Sequence, residues 1–469
     1  MNRSTAYFGL FLLALALIAT PAWSQRRVRL KRADISRGSV VAGERIDWVV
    51  GNVVFTQNQT TIYCDSAQIF KAKNSVEAYG HVRITEGDSV TATGLRLTYD
   101  GNKKIAYMRR NVVFTKLATA TLYTDYLDYY RNQNEARYFN GGKLVDSTNT
   151  LTSQKGYYNI RNNLASFKTN VLGVNPDYTL TSDTLQYNSK TKVIYFRDST
   201  QIVDKEGKTA VYQSGFYDTQ KKNSDIEKGV IETVTYRLKG DKYFLDDFRK
   251  FYKAKFNVAM TSKEENMTIY GDDGFYDKKR GISKVYGHAY VAKVADDGDT
   301  LFLAADTLVS IENDDPKKKR LLAYNNVRIF KSDMQGIADS LVYVPSDSSM
   351  LFYKNPALWT EGNQLTADTI RILLVNKTID KIYLLANSFV ISQDTLQNFN
   401  QIKGRKMTAY FDAKTIQKVL VEGNGESLYY ALQEEEKDLD SARLIITFTA
   451  GMNKMVCSNM LIKFIEGKV

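Results

Sequence analysis

The segment Gly51–Ile84, GNVVFTQNQTTIYCDSAQIFKAKNSVEAYGHVRI, contains the pattern that decides the fold. Apolar and polar residues alternate near both of its ends, and the alternating apolar pairs are Val53/Phe55 and Val82/Ile84. A period of two residues is typical of half-buried β-strands that have one apolar face. We therefore expect strands here and look for copies of the pattern elsewhere.

The middle of this segment, Asp65-Ser-Ala-Gln-Ile, recurs along the chain. Its common form is a small residue, Asp, Ser or Thr, an apolar residue, any residue and another apolar residue. We call the Asp position of each copy the repeat aspartate. The clear copies are at Asp65, Asp183, Asp306, Asp339 and Asp368, and weaker copies are at Thr93, Asp125, Gln154, Gln213, Asp241, Asp272, Arg405 and Ser458. Such a period, near 30 residues, is typical of repeat architectures, in which one unit cannot bury its apolar face alone. The sequence thus predicts an all-β protein of about thirteen stacked, antiparallel strand-turn-strand units, solenoid-like or a β-jellyroll.

Each unit has a second strand, which we expect to open at a Gly or Asn pair such as Gly80-His81. Both histidines, His81 and His288, occupy this position, and Asn fills it in other units. We interpret it as a turn position and not as half of a metal or catalytic pair. The repeat aspartate is interpreted as a cap at a strand corner, because one Asp followed by Ser or Thr supplies too few oxygen ligands for calcium.

The first residues indicate export from the cytoplasm. Arg3 precedes an apolar run, and Ala22 and Ser24 stand at the −3 and −1 positions of a cleavage site, so residues 1–24 are predicted to be a signal peptide. The chain has 31 Tyr and 22 Phe, which favour strands, and a net charge of +12, which favours an anionic partner. In an exported protein that partner is expected to be a phosphorylated lipid or an anionic glycan, and not a nucleic acid.

The domain prediction places one β-jellyroll at 25–230 and a second at 231–469, either separate or continuous. The two cysteines, Cys64 and Cys457, are too few and too distant for a disulfide framework. The chain ends at Lys468-Val469, halfway through a unit. Either the sequence is truncated there, or its last strand is an open edge.

The combination of a signal peptide, Gly51-Asn-Val-Val-Phe55, Asp65-Ser-Ala67 and Gly80-His-Val-Arg-Ile84 resembles the OstA-like family, in particular its long members from Bacteroidetes. The resemblance implies a periplasmic bridge of the lipopolysaccharide (Lpt) export machinery, built as a β-jellyroll without enzymatic activity or cofactor. It also implies three kinds of partner: lipopolysaccharide, whose lipid A acyl chains lie in an apolar trough; other Lpt components, through edge-strand pairing; and further copies, head to tail.

The expected lipid-binding residues are the inward apolar positions of the repeats, with no catalytic and no metal-binding residue. They are Val53, Phe55, Ile62, Ile69, Val82, Ile84, Leu95, Leu97, Val112, Phe114, Leu127 and Leu185. The sequence alone does not distinguish an open trough from a closed core. Two other functions stay open at this point: a β-helix carbohydrate-active enzyme and a structural or adhesive surface solenoid.

Overall fold

The computed structural model describes residues 27–87, 90–116, 120–264, 266–295, 298–360, 362–375, 378–412, 415–439 and 442–463. Most of these residues lie in antiparallel strands, which confirms the predicted all-β class. The predicted signal peptide lies outside the described residues. The chain divides into two compact units, the first ending at Thr200 and the second beginning at Gln201. That two jellyrolls meet near residue 230 stays a prediction.

The described residues of the first unit form fifteen strands and one short 3₁₀ turn, Arg131–Gln133. The strands are β1 (Arg29–Arg32), β2 (Ile35–Val41), β3 (Glu44–Gln57), β4 (Thr60–Phe70), β5 (Ser75–Glu86), β6 (Val90–Asp100), β7 (Ile105–Lys116), β8 (Ala120–Tyr130), β9 (Glu135–Tyr138), β10 (Gly142–Val145), β11 (Thr150–Ser153), β12 (Lys155–Asn159), β13 (Leu164–Asn175), β14 (Tyr178–Asn188) and β15 (Val193–Phe196).

β16 (Thr200–Asp204) begins at the boundary, and the remaining strands belong to the second unit together with 3₁₀ turns at Pro316–Lys318 and Pro345–Asp347. These strands are β17 (Thr209–Asp218), β18 (Asn223–Glu232), β19 (Tyr236–Asp246), β20 (Phe251–Ser262), β21 (Met267–Asp277), β22 (Ile282–Val294), β23 (Thr300–Ile311), β24 (Arg320–Lys331), β25 (Met334–Val344), β26 (Ser349–Tyr353), β27 (Ala357–Thr360), β28 (Asn363–Thr366), β29 (Thr369–Val375), β30 (Thr378–Gln393), β31 (Phe399–Asp412), β32 (Thr415–Leu439) and β33 (Ala442–Lys463).

The Gly/Asn pairs lie in the middle of strands, and the prediction that they open strands is wrong. In β5, Gly80 and His81 have φ values of 72° and 37°, and the pairing with β4 and β6 breaks between Tyr79 and Val82. Two consecutive residues in the left-handed region redirect the chain, so β5 and the other strands that contain such a pair bend near their centres. The sequence misplaced the strand ends because the bend residues are those that also favour turns.

The repeat aspartates fix these bends from the neighbouring strand. Asp65 of β4 contacts His81 of β5 at 2.8 Å between Oδ2 and Nδ1, and Asp272 contacts His288 in the same way at 2.7 Å. Side-chain amide hydrogen bonds of 2.6–3.0 Å likewise pair Asn52 with Asp34, Asn257 with Asp241, Asn326 with Asp306, and Asn387 with Asp368. At Asn111 the backbone N–H donates to Asp125 instead, at 2.9 Å. The two halves of the sequence repeat are therefore two sides of one bend, and the histidines do share one conformational position with the asparagines.

Replacing Gly80 by Ala tests how far this bend supports the fold. The left-handed conformation costs a non-glycine residue about 1–2 kcal/mol. A Cβ at Gly80 would also lie 2.3 Å from Asp65 Oδ2. Gly43→Ala is the matched control, since Gly43 has φ +80° with no atom within 4 Å of the added Cβ.

We expect Gly80→Ala to lower the free energy of unfolding by at least about 1 kcal/mol more than Gly43→Ala, because only the first variant displaces a neighbouring side chain. Urea unfolding followed by circular dichroism measures the difference. Equal losses would show that the Asp65 contact contributes nothing.

Candidate functional site

The inward faces of the first unit form a buried apolar interior. Ten of the twelve expected lipid-binding residues have only 0–2 % of their surface exposed. They are Val53, Phe55, Ile62, Val82, Ile84, Leu97, Val112, Phe114, Leu127 and Leu185. Strand pairing brings them into one layer, since Phe55 lies opposite Ile62, Ile62 opposite Ile84, and Phe114 opposite Leu122.

Two of the expected residues depart from this set. Leu95 is 45 % exposed, so its predicted inward orientation is wrong. It is the single β6 residue between the pairs Val82–Gly94 and Tyr79–Arg96, where β5 has two residues, Gly80 and His81. Because β6 has one residue fewer than β5 across this bulge, its alternation shifts by one residue, so Leu97 faces inward and Leu95 does not. Ile69 follows Ala67 on the inward side of β4 but is partly exposed, because it lies next to the strand end.

In the first unit, a row of side-chain contacts joins turns at one end of the strands to turns at the opposite end. Gln57 stands at the end of β3, and its Nε2 donates to the carbonyl of Gly101 in the turn after β6, at 2.8 Å. Tyr99 Oη donates to Gln57 Oε1 at 2.5 Å. These turns lie at opposite ends of their strands, so the contacts are possible only because the strands bend. We call this row the seam.

The seam continues with Glu86 and Arg131. Glu86 ends β5, and Arg131 follows β8 at the opposite strand end. Arg131 binds both carboxylate oxygens of Glu86 and donates to Tyr99 Oη at 3.2 Å, and only 8 % of its side chain is exposed. Burial opposes the charge of Arg131, but the contacts with Glu86 and Tyr99 outweigh it and raise the pKa of the guanidinium. A bidentate ion pair of this kind is geometrically specific.

Two further cations extend the seam. Lys116, at the end of β7, donates to Asn163 Oδ1 at 2.7 Å and to the carbonyl of Ile160. Lys192 binds Asp146 at 2.9 Å, and Tyr187 donates to the same carboxylate. The apolar interior is thus bounded by the bends on one side and by the seam on the other.

The second unit has a less enclosed apolar face. Its core includes Ala289, Val327, Ile370, Leu384 and Val421, which are almost fully buried. Toward β21, β22 and β23, several apolar side chains are only partly buried, namely Ile269, Val285, Val291, Leu301 and Leu303. One contact repeats the relation of the seam, since Lys208 lies 5.9 Å from the ring centre of Tyr252, which is at the opposite strand end.

Metal-ligating and nucleophilic side chains could form a site of a different kind. Among the described residues, no group of three or more His, Cys, Asp or Glu side chains is placed to hold a metal ion. Cys64 and Cys457 are free thiols, and burial followed by the nearby Asp65 charge raises the pKa of Cys64 to about 12. In the ranges that the structure describes, no helix is long and apolar enough to cross a membrane.

The comparison with protein families agrees with the sequence pattern. The family described as OstA-like protein matches residues 25–183. The OstA-like resemblance is therefore confirmed over this part of the chain. No curated protein matches the sequence. Among solved structures, one similar chain is LptH from Pseudomonas aeruginosa, the LptA-homologous periplasmic component of a lipopolysaccharide transport device. It is 18 % identical over 23 % of this chain and 75 % of its own, with a TM-score of 0.20.

The OstA-like segment contains the interior residues named above except Leu185, and it also contains Phe167 and Val171 of β13. The seam contacts of Gln57, Glu86 and Lys116 lie within it, whereas Tyr187 and Lys192 lie beyond its end. Sequence reasoning found the interior but missed the seam, because its partners are 44 to 47 residues apart in contacts such as Gln57–Gly101 and Lys116–Asn163. It also missed Asp34, which accepts from Asn52 as the repeat aspartates do, although the residues after it, Ile-Ser, depart from the repeat pattern.

The pH dependence of the stability of the fold, at acid pH, tests the seam. Burial alone would raise the pKa of Asp146, but hydrogen bonds from Tyr187, Lys192 and two backbone amides lower it to about 2. A carboxyl whose folded pKa lies below its unfolded value of about 3.9 stabilises the fold above that value and loses this contribution as the pH falls.

We expect Asp146→Asn to be less stable than the wild type at pH 7 and to lose less stability between about pH 4 and pH 2. Thermal unfolding across this range is the measurement. Asp183→Asn, an exposed repeat aspartate on β14, is the control. Parallel pH curves for the wild type and Asp146→Asn would contradict the assigned role of Asp146.

Proposed function

We propose that this chain is a non-enzymatic periplasmic carrier of lipopolysaccharide, which it passes toward the outer membrane with lipid A acyl chains in its apolar interior. The observation that carries the proposal is the layer of inward Val, Ile, Leu and Phe side chains within the residues that match the OstA-like family. Each methylene group that leaves water contributes about 0.8 kcal/mol, so such a layer can hold acyl chains without a specific polar anchor. A surface of methyl groups and rings also lets a chain slide.

The interior of the first unit is enclosed, so the proposal requires that it open. The strands are held by backbone ladders, whereas the seam consists of a few side-chain contacts. Separating the strand ends at the seam therefore breaks far fewer hydrogen bonds than separating any two strands. We propose that acyl chains reach the interior of this unit when the seam opens.

In the second unit, acyl chains could contact apolar side chains without the opening of a seam. Ile269, Val285, Val291, Leu301 and Leu303 are partly exposed in strands that otherwise resemble those of the first unit. We propose that acyl chains contact these side chains directly.

Partners would bind at the edge strands. β2 is exposed at all seven residues, and in the described part of the chain β33 pairs only with β32. β33 also exposes apolar side chains, among them Ile445, Met452 and Val456. An unpaired edge with apolar side chains favours strand addition by another chain. We propose other Lpt components, or a second copy arranged head to tail, as the strands that pair there.

Site-specific photo-crosslinking in cells tests the carrier function. Benzoylphenylalanine replaces Phe55 and Phe114, which face inward, and Phe139, which is 36 % exposed and stacks on Tyr126, serves as control. We expect lipopolysaccharide adducts at Phe55 and Phe114 and none at Phe139, because only the first two lie on the interior layer. Equal adducts at all three positions, or none in folded and exported protein, would refute the carrier function.

A linked seam tests how lipid reaches the first unit. Glu86→Cys and Arg131→Cys are joined by a short bis-maleimide, after Cys64→Ala and Cys457→Ser remove the native thiols. We expect the adduct at Phe114 to fall to background when the linker is present and to return in the unlinked variant, since the strand ends can then separate.

The control for this experiment is Glu77→Cys with Arg96→Cys. This pair forms a comparable ion pair of 3.1 Å between the adjacent strands β5 and β6, away from the seam. Linking it should leave the Phe114 adduct unchanged. A linked seam that still yields the adduct would show that lipid arrives by another route.

A further inference from the structure

Many of the turns at one end of the strands are rich in Lys and Arg. In the first unit the turns 71–74, 101–104, 131–134, 160–163 and 189–192 contain Lys or Arg and no acid. In the second unit the first three turns at this end, 219–222, 247–250 and 278–281, contain seven cations and one acid, whereas the next, 312–319, contains three of each. Those seven are Lys221, Lys222, Arg249, Lys250, Lys278, Lys279 and Arg280.

An aspartate holds each of the three turns in the second unit. Asp218, Asp246 and Asp277 accept the backbone N–H three residues later, at 2.9, 2.7 and 3.1 Å. The carboxylate is thereby engaged with the backbone, and the cation at the third position points into solvent with only a distant contact to it. For Arg249 and Arg280 this contact is 3.7 Å, and 78 % of each side chain is exposed.

A surface pocket of about 390 Å³ lies between two of these turns. It is lined by Phe244, Asp246, Arg249, Phe251, Asp277, Lys279 and Arg280. Phe251 stacks on Phe275 with 5.6 Å between ring centres, which fixes the aromatic wall, and Phe244 is 38 % exposed. Two guanidinium groups, one ammonium group and two aromatic rings therefore border one open pocket, together with the two turn carboxylates, so its lining has three cations and two anions.

This combination is selective for a particular ligand chemistry. Guanidinium groups bind phosphate through paired N–H donors, and aromatic rings pack against the C–H face of a sugar. The volume is at the lower end of the range for small-molecule sites, which suits one or two sugar rings. A bare acyl chain would offer nothing to the three cations, of which Arg249 and Arg280 have only their 3.7 Å contacts with Asp246 and Asp277, and free phosphate would leave the rings uncovered.

We propose that this pocket binds a phosphorylated saccharide. The inference deepens the proposed carrier function, on which it rests, because it assigns the phosphate-bearing sugar of a glycolipid to the second unit and only the acyl chains to apolar side chains. A phosphate from a membrane phospholipid has the same charge, so the test must separate these two sources.

Calorimetric titration of the full chain without its predicted signal peptide tests the pocket. The probe is a bisphosphorylated glucosamine disaccharide without acyl chains, compared with the same disaccharide without phosphates. We expect binding of the first probe only, weakened at least about tenfold by Arg249→Gln with Arg280→Gln, because each loses charge-assisted hydrogen bonds.

Lys103→Gln with Lys104→Gln is the matched control. Lys103 occupies the same kind of turn, in which Asp100 accepts its backbone N–H at 2.9 Å, but it belongs to the first unit. We expect binding to change little in this variant. Equal loss in both double variants would show that only net charge matters and would overturn the proposal.

Vesicles of phosphatidylcholine, with and without phosphatidylglycerol, test whether the phosphate of a membrane phospholipid binds instead of the saccharide. Arginine-dependent binding to the anionic vesicles without binding of the disaccharide would overturn the saccharide assignment. Because the probe has no acyl chain, it can bind even if no lipid adduct forms at Phe55 or Phe114, and the carrier function can stand without the pocket. The two proposals can therefore fail separately.

Discussion

The structure depends on a bend in the middle of its long strands. A run of two left-handed residues is unfavourable for most side chains, so it persists only where the surroundings fix it. Here the surroundings are a carboxylate on the adjacent strand, as in Asp65 with His81 or Asp306 with Asn326. Asn accounts for many of these positions because it tolerates the left-handed region better than most residues. Without the bends, the end of one strand could not reach the opposite end of another, as Gln57 reaches Gly101. The inward faces would then have nothing to cover them.

The bend also explains which parts of the fold were predictable. Period-two alternation identified the strands and ten of the twelve interior residues, because it depends on neighbouring residues within one strand. It failed at Leu95, where a bulge shifts the alternation by one residue, and at Gly80-His81, where a mid-strand bend uses the residue types of a turn. Both failures occur at the same point of the repeat, where local sequence preference and strand pairing conflict.

The seam could not be predicted from the sequence, for a different reason. Glu86 and Arg131 are ordinary charged residues near turns, and nothing local relates them. Their contact follows from the bend and from the offset between opposite strand ends, which are properties of the folded unit. The basic turns are visible in the sequence, but their position opposite Glu86 and Asp146 is not. The repeat aspartates, by contrast, were recognised as structural, although their partners across the bend were not identified.

The bend and the seam differ in strength, and this difference gives the first unit one direction in which it can open. At the bend, backbone pairing continues on both sides of every redirected strand, from β4 through β8. At the seam, the strand ends touch mainly through long side chains, whose ion pairs contribute little where water reaches them. Two pairs are exceptions because they are largely buried: Arg131, which donates to three oxygen atoms of Glu86 and Tyr99, and Lys192 with Asp146. A largely buried cation that loses its carboxylate is costly, so these two pairs set the energy of opening, and the bends act as the hinge.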